Sequence, residues 1–230
     1  MTLSANQPYF LPYFPYWQLI AAADAFLVSD DYAFMKGSWI PRNRILVNGS
    51  PQYFRIEVEH KSCHKLIKDC SVVPIDVRGK LRTLEMAYHK APNFNDGYAL
   101  AERILRNPDP NLAGFLYASI AEVCAYMGIE TPLLRTSDLP GNSLLRMEQR
   151  VYDFCHRLGA DRYINAIGGQ ALYRRDAFRK EGIDLCFIQS EMAPYDQGGD
   201  PFVPGLSVID VIMFNSREAL HERLGQYRLI

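Results

Sequence analysis

The sequence predicts an α/β domain on three observations. A strand, a turn, a helix and a second strand fill its first thirty or so residues, the order of a βαβ unit with a parallel strand pair. Asn48-Gly49 lies between two segments of alternating polarity, the dipeptide favoured in tight hairpins. The middle of the chain carries apolar stripes at helical spacing. Together they give a βαβ start with a β-hairpin, a helical middle layer over about 77–158 and a C-terminal strand-helix segment. A single domain spanning 1–230 accommodates all of it, since 230 residues suffice for one sizeable core.

The elements follow in order. Thr2 to Ala5 is a short strand candidate, Tyr13 to Ala23 is helical, and Ala25 to Ser29 is an apolar strand bounded by aspartates. Arg42–Val47 and Gln52–Val58 are the hairpin arms. Cys70 to Ile75 reads as another strand and Val77 to Lys90 as a helix stopped by Ala91-Pro92. From Leu112 the stripe Leu112, Phe115, Leu116, Ile120, Val123, Cys124 and Met127 predicts a helix ending at Gly128. Leu144 to Leu158 repeats the pattern before Gly159. Tyr163–Asn165 and Leu185–Ile188 are strand candidates, and Gln170 to Tyr173 has helical character. Leu206 to Phe214 and a last helix from Arg217 close the chain. Pro194 to Gly205, polar and with three glycines, reads as the most mobile loop.

Composition excludes several function classes. Hydrophobic content of 48% and charge of 22% are globular values, against disorder. A formal net charge of -1 gives no basic surface for nucleic acid, so no nucleic-acid partner is expected. No run approaches the roughly 18 apolar residues of a membrane span, and no basic-then-apolar leader opens the chain. Five scattered cysteines, two of them among apolar neighbours in helical patterns, point to a reduced, cytoplasmic protein. His60, Cys63, His64 and Cys70 crowd ligand-type residues together, but their spacing fits no zinc finger or ribbon, and no metal is expected there.

The chemistry gathers at the N-terminus. Six aromatics and three prolines stand within the fourteen residues Asn6 to Leu19, a composition suited to a rigid ligand loop. Gln7 falls at the end of the first strand, where open parallel sheets collect ligands, and its amide can donate and accept. Tyr9 and Tyr13 can stack on a sugar or base. Asp30 and Asp31 follow the second strand and open on the same crevice, where one carboxylate can act as a general base or hold a phosphate-bound magnesium. Turn or cap chemistry is the alternative, although two aspartates exceed what a turn requires. Lys36, Arg42 and Arg44 form an anion clamp beside Trp39, with the two arginines on one strand face. Tyr88 and Lys90 end a helix. Asn165, Gly168 and Gly169 make a strand-to-glycine turn able to offer backbone N–H groups, without a full dinucleotide fingerprint.

These residues resemble a known family. Gln7-Pro8-Tyr9-Phe10-Leu11-Pro12-Tyr13 through Trp17-Gln18-Leu19-Ile20, then Asp30-Asp31, Lys36-Gly37-Ser38-Trp39-Ile40, Arg42-Asn43-Arg44-Ile45-Leu46 and Asn48-Gly49, are similar to the opening of the WbqC-like family. Ala87-Tyr88, Lys90-Ala91-Pro92, Tyr163-Ile164-Asn165, Gly168-Gly169, Leu172-Tyr173, Leu206 to Val211 and Asn215 continue the match in order. Pro15 and Pro41 depart from it, standing where the family has glycine and asparagine. The resemblance implies surface-polysaccharide (O-antigen) biosynthesis as the setting, and transfer of glycine or another acyl group to a nucleotide-linked amino sugar as the reaction. A magnesium-nucleotide activating enzyme and a non-catalytic sugar-nucleotide binding module stay open beside it. The cofactor is undetermined, magnesium with a nucleotide being the candidate.

Overall fold

A computed structural model describes residues 1–59, 64–199 and 201–230. Its main sheet has the order β5-β2-β1-β6-β7-β8, made of β1 (Thr2–Asn6), β2 (Ala25–Val28), β5 (Leu133–Arg135), β6 (Arg162–Ala166), β7 (Asp184–Ser190) and β8 (Tyr227–Leu229). All pairs are parallel except β7 with the edge strand β8. The hairpin β3 (Arg42–Val47) and β4 (Ser50–Arg55) stands apart as a two-stranded sheet. Asn48 and Gly49, at φ 51° and 73°, make the two-residue turn whose twist suits a hairpin.

The strands alternate between two cores, as the period of two requires. Leu3, Ala25, Leu27, Tyr163, Leu185 and Phe187 face α5 (Glu148–Leu158) and α6 (Arg175–Lys180) through Val151, Phe154, Cys155 and Phe178. Phe26, Val28, Ile164 and Ile188 face the other way, into a larger cluster. That cluster gathers α1 (Phe14–Ala21), α2 (Val77–Tyr88), α3 (Phe94–Leu105), α4 (Leu112–Met127), α7 (Val208–Phe214), α8 (Arg217–Leu224) and the hairpin residues Ile45 and Phe54. Helices on both faces explain why these short strands read as apolar runs. All seven residues of the expected α4 stripe are buried, and α4 ends at the left-handed Gly128.

Three expectations need correction. Cys70 to Ile75 is not a sheet strand: it makes only single bridges, Val58 to Val72 and Ser71 to Asn111, before Pro74 stops further pairing. The helix expected from Leu144 starts at Glu148, because Asn142–Leu144 form a 3-10 turn and Met147 adopts φ 50°. Gln170 to Tyr173 form a turn, with the next helix beginning at Arg175. The strands β5 and β8 and the helix α3 gave no signal strong enough to be expected.

Candidate functional site

The strand order creates a crevice. From β1 the chain passes outward to β2 and later returns to β6 on the other side of β1, so the segments leaving the carboxyl ends of β1 and β6 part. Ligands in open α/β sheets gather at such a switch point. A cleft of about 620 Å³ lies there. Asn6 and Gln7 line it from β1, Ser29 and Tyr32 from β2, and Asn165, Gly168 and Gly169 from β6. Tyr9 and Tyr13 of the N-terminal turn, Trp39 and Arg44 of the hairpin side, and Gly205 complete the wall.

The aromatic turn is held from several directions. Leu11 sits at φ 47°, a left-handed conformation that a bulky residue adopts only when its surroundings fix it. Its carbonyl accepts from Asn43 Nδ2 at 2.8 Å and Ser207 Oγ at 2.9 Å. The Pro12 carbonyl accepts from Trp17 Nε1 at 3.1 Å and Val208 N at 3.0 Å. Phe10, Phe14, Tyr16 and Trp17 are core, whereas Tyr9 and Tyr13 face the cleft. Pro15 falls in the first turn of α1, where a missing N–H costs nothing. Pro41 precedes β3 and accepts from Ile56 N at 2.9 Å.

The acidic pair is placed differently from the expectation. Neither carboxylate lines the cleft, although Ser29 and Tyr32 on either side do. Asp30 accepts from Ser137 N at 3.0 Å and Ser137 Oγ at 2.8 Å. Asp31 accepts from Arg150 Nη2 at 2.8 and 2.9 Å and from Thr136 Oγ1 at 2.6 Å. Arg150 in turn donates from Nε to Asn142 Oδ1 at 2.7 Å, and its guanidinium lies 4.1 Å from the Tyr32 ring centre. The two aspartates tie the ends of β2 and β5 to α5, directly behind the tyrosine that lines the cleft. Adjacent strand residues point opposite ways, yet both carboxylates here find internal partners, because loops from two other elements converge on them.

The cationic clamp is divided. Arg42 and Arg44 do share a face of β3, and their guanidiniums lie 5.9 and 5.8 Å from the Trp39 ring centre. Arg44 enters the cleft wall, where Nη2 donates to Gly205 O at 3.3 Å. Arg42 packs on Tyr53, its ring centre 4.6 Å away, donates to Gly37 O, and with Lys36 lines a separate small pocket. Trp39, a candidate substrate-binding residue, lines the cleft and is 42% exposed.

Tyr88 and Lys90 are not brought to the cleft. Lys90 is exposed, and Tyr88 is buried, donating to Asp210 Oδ2 and accepting from Leu46 N, both at 2.9 Å. Asp210 also accepts from Tyr195 Oη at 2.6 Å and Gln197 Nε2 at 2.9 Å. Burial pushes its carboxyl above the usual range, opposed by those three donors. Gln197 Oε1 accepts from Val203 N at 2.8 Å, so the segment expected to be most mobile is anchored to a buried carboxylate.

The cleft itself is nearly uncharged. Arg44 is the one charged side chain among the described lining residues. Burial raises the phenols of Tyr9, Tyr13, Tyr32 and Tyr163, and takes Tyr173 to about 12. All five are protonated at neutral pH, and a phenol can both donate and accept. Asn6, Tyr32 and Tyr173 were not expected as site residues, although Leu172-Tyr173 belongs to the segments that carry the family resemblance. His60 and Cys63 of the cysteine-histidine cluster lie outside the described residues, and no group of metal-binding side chains occurs among those described.

The chain belongs to the WbqC-like protein family, whose model matches residues 7–222. It is similar, at 25% identity over 220 residues and 93% of each chain, to the uncharacterized protein Rv1507c of Mycobacterium tuberculosis (strain ATCC 25618 / H37Rv). No solved structure matches it. Among the described residues no helix is long and apolar enough to cross a membrane.

Proposed function

We propose that this protein transfers an acyl group, glycyl in the leading case, to a nucleotide-linked amino sugar of bacterial surface polysaccharide. The observation that carries this reading is the composition of the switch-point cleft: one arginine, an exposed indole, five protonated phenols and several side-chain amides. Amides and phenols suit sugar hydroxyl and acyl groups, the indole suits a ring face, and Arg44 suits one phosphate. Asp30 and Asp31 serve this reading as a brace behind Tyr32 rather than as bases.

The deciding experiment is thermal stability against nucleotide-sugars, free nucleotides and glycine, each with and without magnesium. A ligand at 100 times its Kd adds about 2.7 kcal/mol, a readily measured shift. Stabilisation by nucleotide-sugars supports the reading, whereas stabilisation by ATP with magnesium alone turns it toward an activating enzyme. The lack of any carboxylate, imidazole, amine or thiol among the described lining residues favours a second reading, a sugar-nucleotide binding module. Binding without turnover, with every activated acyl donor tried, would establish that one.

A further inference from the structure

Asp210 is fully buried and does not line the cleft, and among the described residues no cation pairs with it. Its side-chain donors are all neutral: Tyr88 Oη on Oδ2, and Tyr195 Oη and Gln197 Nε2 on Oδ1. A buried carboxylate is tolerated only where its donors are fixed, and such a saturated network is rigid. Three routes lead from it, and each ends at Arg44. Through Tyr88 it reaches β3, because the same phenol oxygen accepts from Leu46 N at 2.9 Å, two residues beyond Arg44. Through Gln197 it reaches the cleft wall. There Oε1 accepts from Val203 N at 2.8 Å and Nε2 donates to Val203 O at 3.1 Å, two residues before Gly205, whose carbonyl accepts from Arg44 Nη2. Through the backbone, Asp210 N donates to Ser207 O at 3.0 Å, and Ser207 N donates to Arg44 O at 2.8 Å.

The wall is fitted closely to the guanidinium. Gly205 sits at φ 68°, and a Cβ there would lie 3.4 Å from Arg44 Nη2. Arg44 Nε is buried and has no partner among the described residues. A guanidinium on a long stem loses rotamer freedom when it grips an anion, and affinity rises when the free protein already holds it in place. Resting on Arg44 as the phosphate contact of a nucleotide-linked ligand, we infer that Asp210 is a positioning residue of the anion site. It fixes the strand, the wall carbonyl and the main chain that aim Arg44, without touching the ligand itself.

Calorimetry with UDP on the full chain tests this as a double-mutant cycle, which separates positioning of Arg44 from general support of the fold. Tyr88→Phe removes one hydroxyl and breaks the β3 route, and Gln197→Ala breaks the wall route. Each should weaken UDP binding about three- to tenfold, the scale of one hydrogen bond. In an Arg44→Ala background the same substitutions should change UDP affinity by less than about twofold, because the group they position is gone. Gln197→Ala stands in if Tyr88→Phe fails to fold. Equal losses in the two backgrounds, or no loss in the chain that keeps Arg44, would overturn the inference alone. A wild type that does not bind UDP, or an Arg44→Ala variant that binds it as wild type does, overturns the phosphate role of Arg44 and the inference with it.

Discussion

Arg150 donates from one nitrogen to both carboxylate oxygens of Asp31, at 2.8 and 2.9 Å, with side chains only 8% and 3% exposed. Removing one partner of a buried pair strands the other charge, at a cost of about 3–5 kcal/mol. Asp31→Asn and Arg150→Ala should each lower Tm by on the order of 10 °C. Circular dichroism melts check this, and a Tm within a degree or two of wild type would mean that the brace contributes little. Asp30→Asn retains the shape of its side chain but weakens the bonds to Ser137, so a smaller loss is expected.

Arg44 and Arg42 should separate functionally. Arg44→Ala is expected to weaken binding of UDP, as an anionic probe, by about 1–3 kcal/mol, since a charge-assisted bond is lost. Arg42→Ala, lining a different pocket, should leave UDP affinity nearly unchanged. Equal losses in the two variants would restore a single undivided clamp.

Asp210 sets a pH dependence. Its folded-state carboxyl titrates above the ordinary carboxylate range because burial disfavours the charge. The folded protein therefore holds that proton more tightly than the unfolded chain, so this group's stabilisation is present below the unfolded value and is lost as pH rises through the folded one. Asp210→Asn removes the titration. The variant's stability relative to wild type should accordingly improve as pH climbs from the ordinary carboxylate pKa of about 4 toward neutrality. Urea melts across that range give the difference, and a flat difference would contradict the raised carboxyl.

Trp39 is a surface residue at the cleft mouth, so its truncation should leave stability within about 0.5 kcal/mol. A sugar or base stacked on it would lose about 1 kcal/mol of binding. Tryptophan fluorescence offers a direct readout, because Trp17, the other indole, is fully buried. Ligand-induced quenching that persists in Trp39→Phe would place the ligand elsewhere.

Local chemistry made the frame legible. The βαβ start, the Asn48-Gly49 turn and the α4 stripe are short-range patterns, and the structure has all three. Gln7, Tyr9, Tyr13, Trp39, Arg44, Asn165, Gly168 and Gly169 were readable as site candidates because they follow strands or sit in the aromatic and hairpin segments, and all line the cleft. The aspartates and Tyr88 were harder. Arg150 stands 119 residues after Asp31, and Asp210 stands 122 residues after Tyr88, so no window of sequence shows that these polar groups are already partnered. The short strands β5 and β8, with three residues each, owe their pairing to the sheet that receives them rather than to a pattern of their own.

The left-handed Leu11 has a consequence for the order in which the protein is made. Its carbonyl is secured by Ser207, 196 residues further along, and the neighbouring Pro12 carbonyl by Val208. The ribosome thus emits Tyr9, Tyr13, Tyr32 and Arg44 of the cleft first, and two of the residues that hold their turn, Ser207 and Val208, almost last. Until the start of α7 emerges, the nascent chain holds nearly all the groups of the site without the Ser207 and Val208 bonds to the turn that carries Tyr9 and Tyr13.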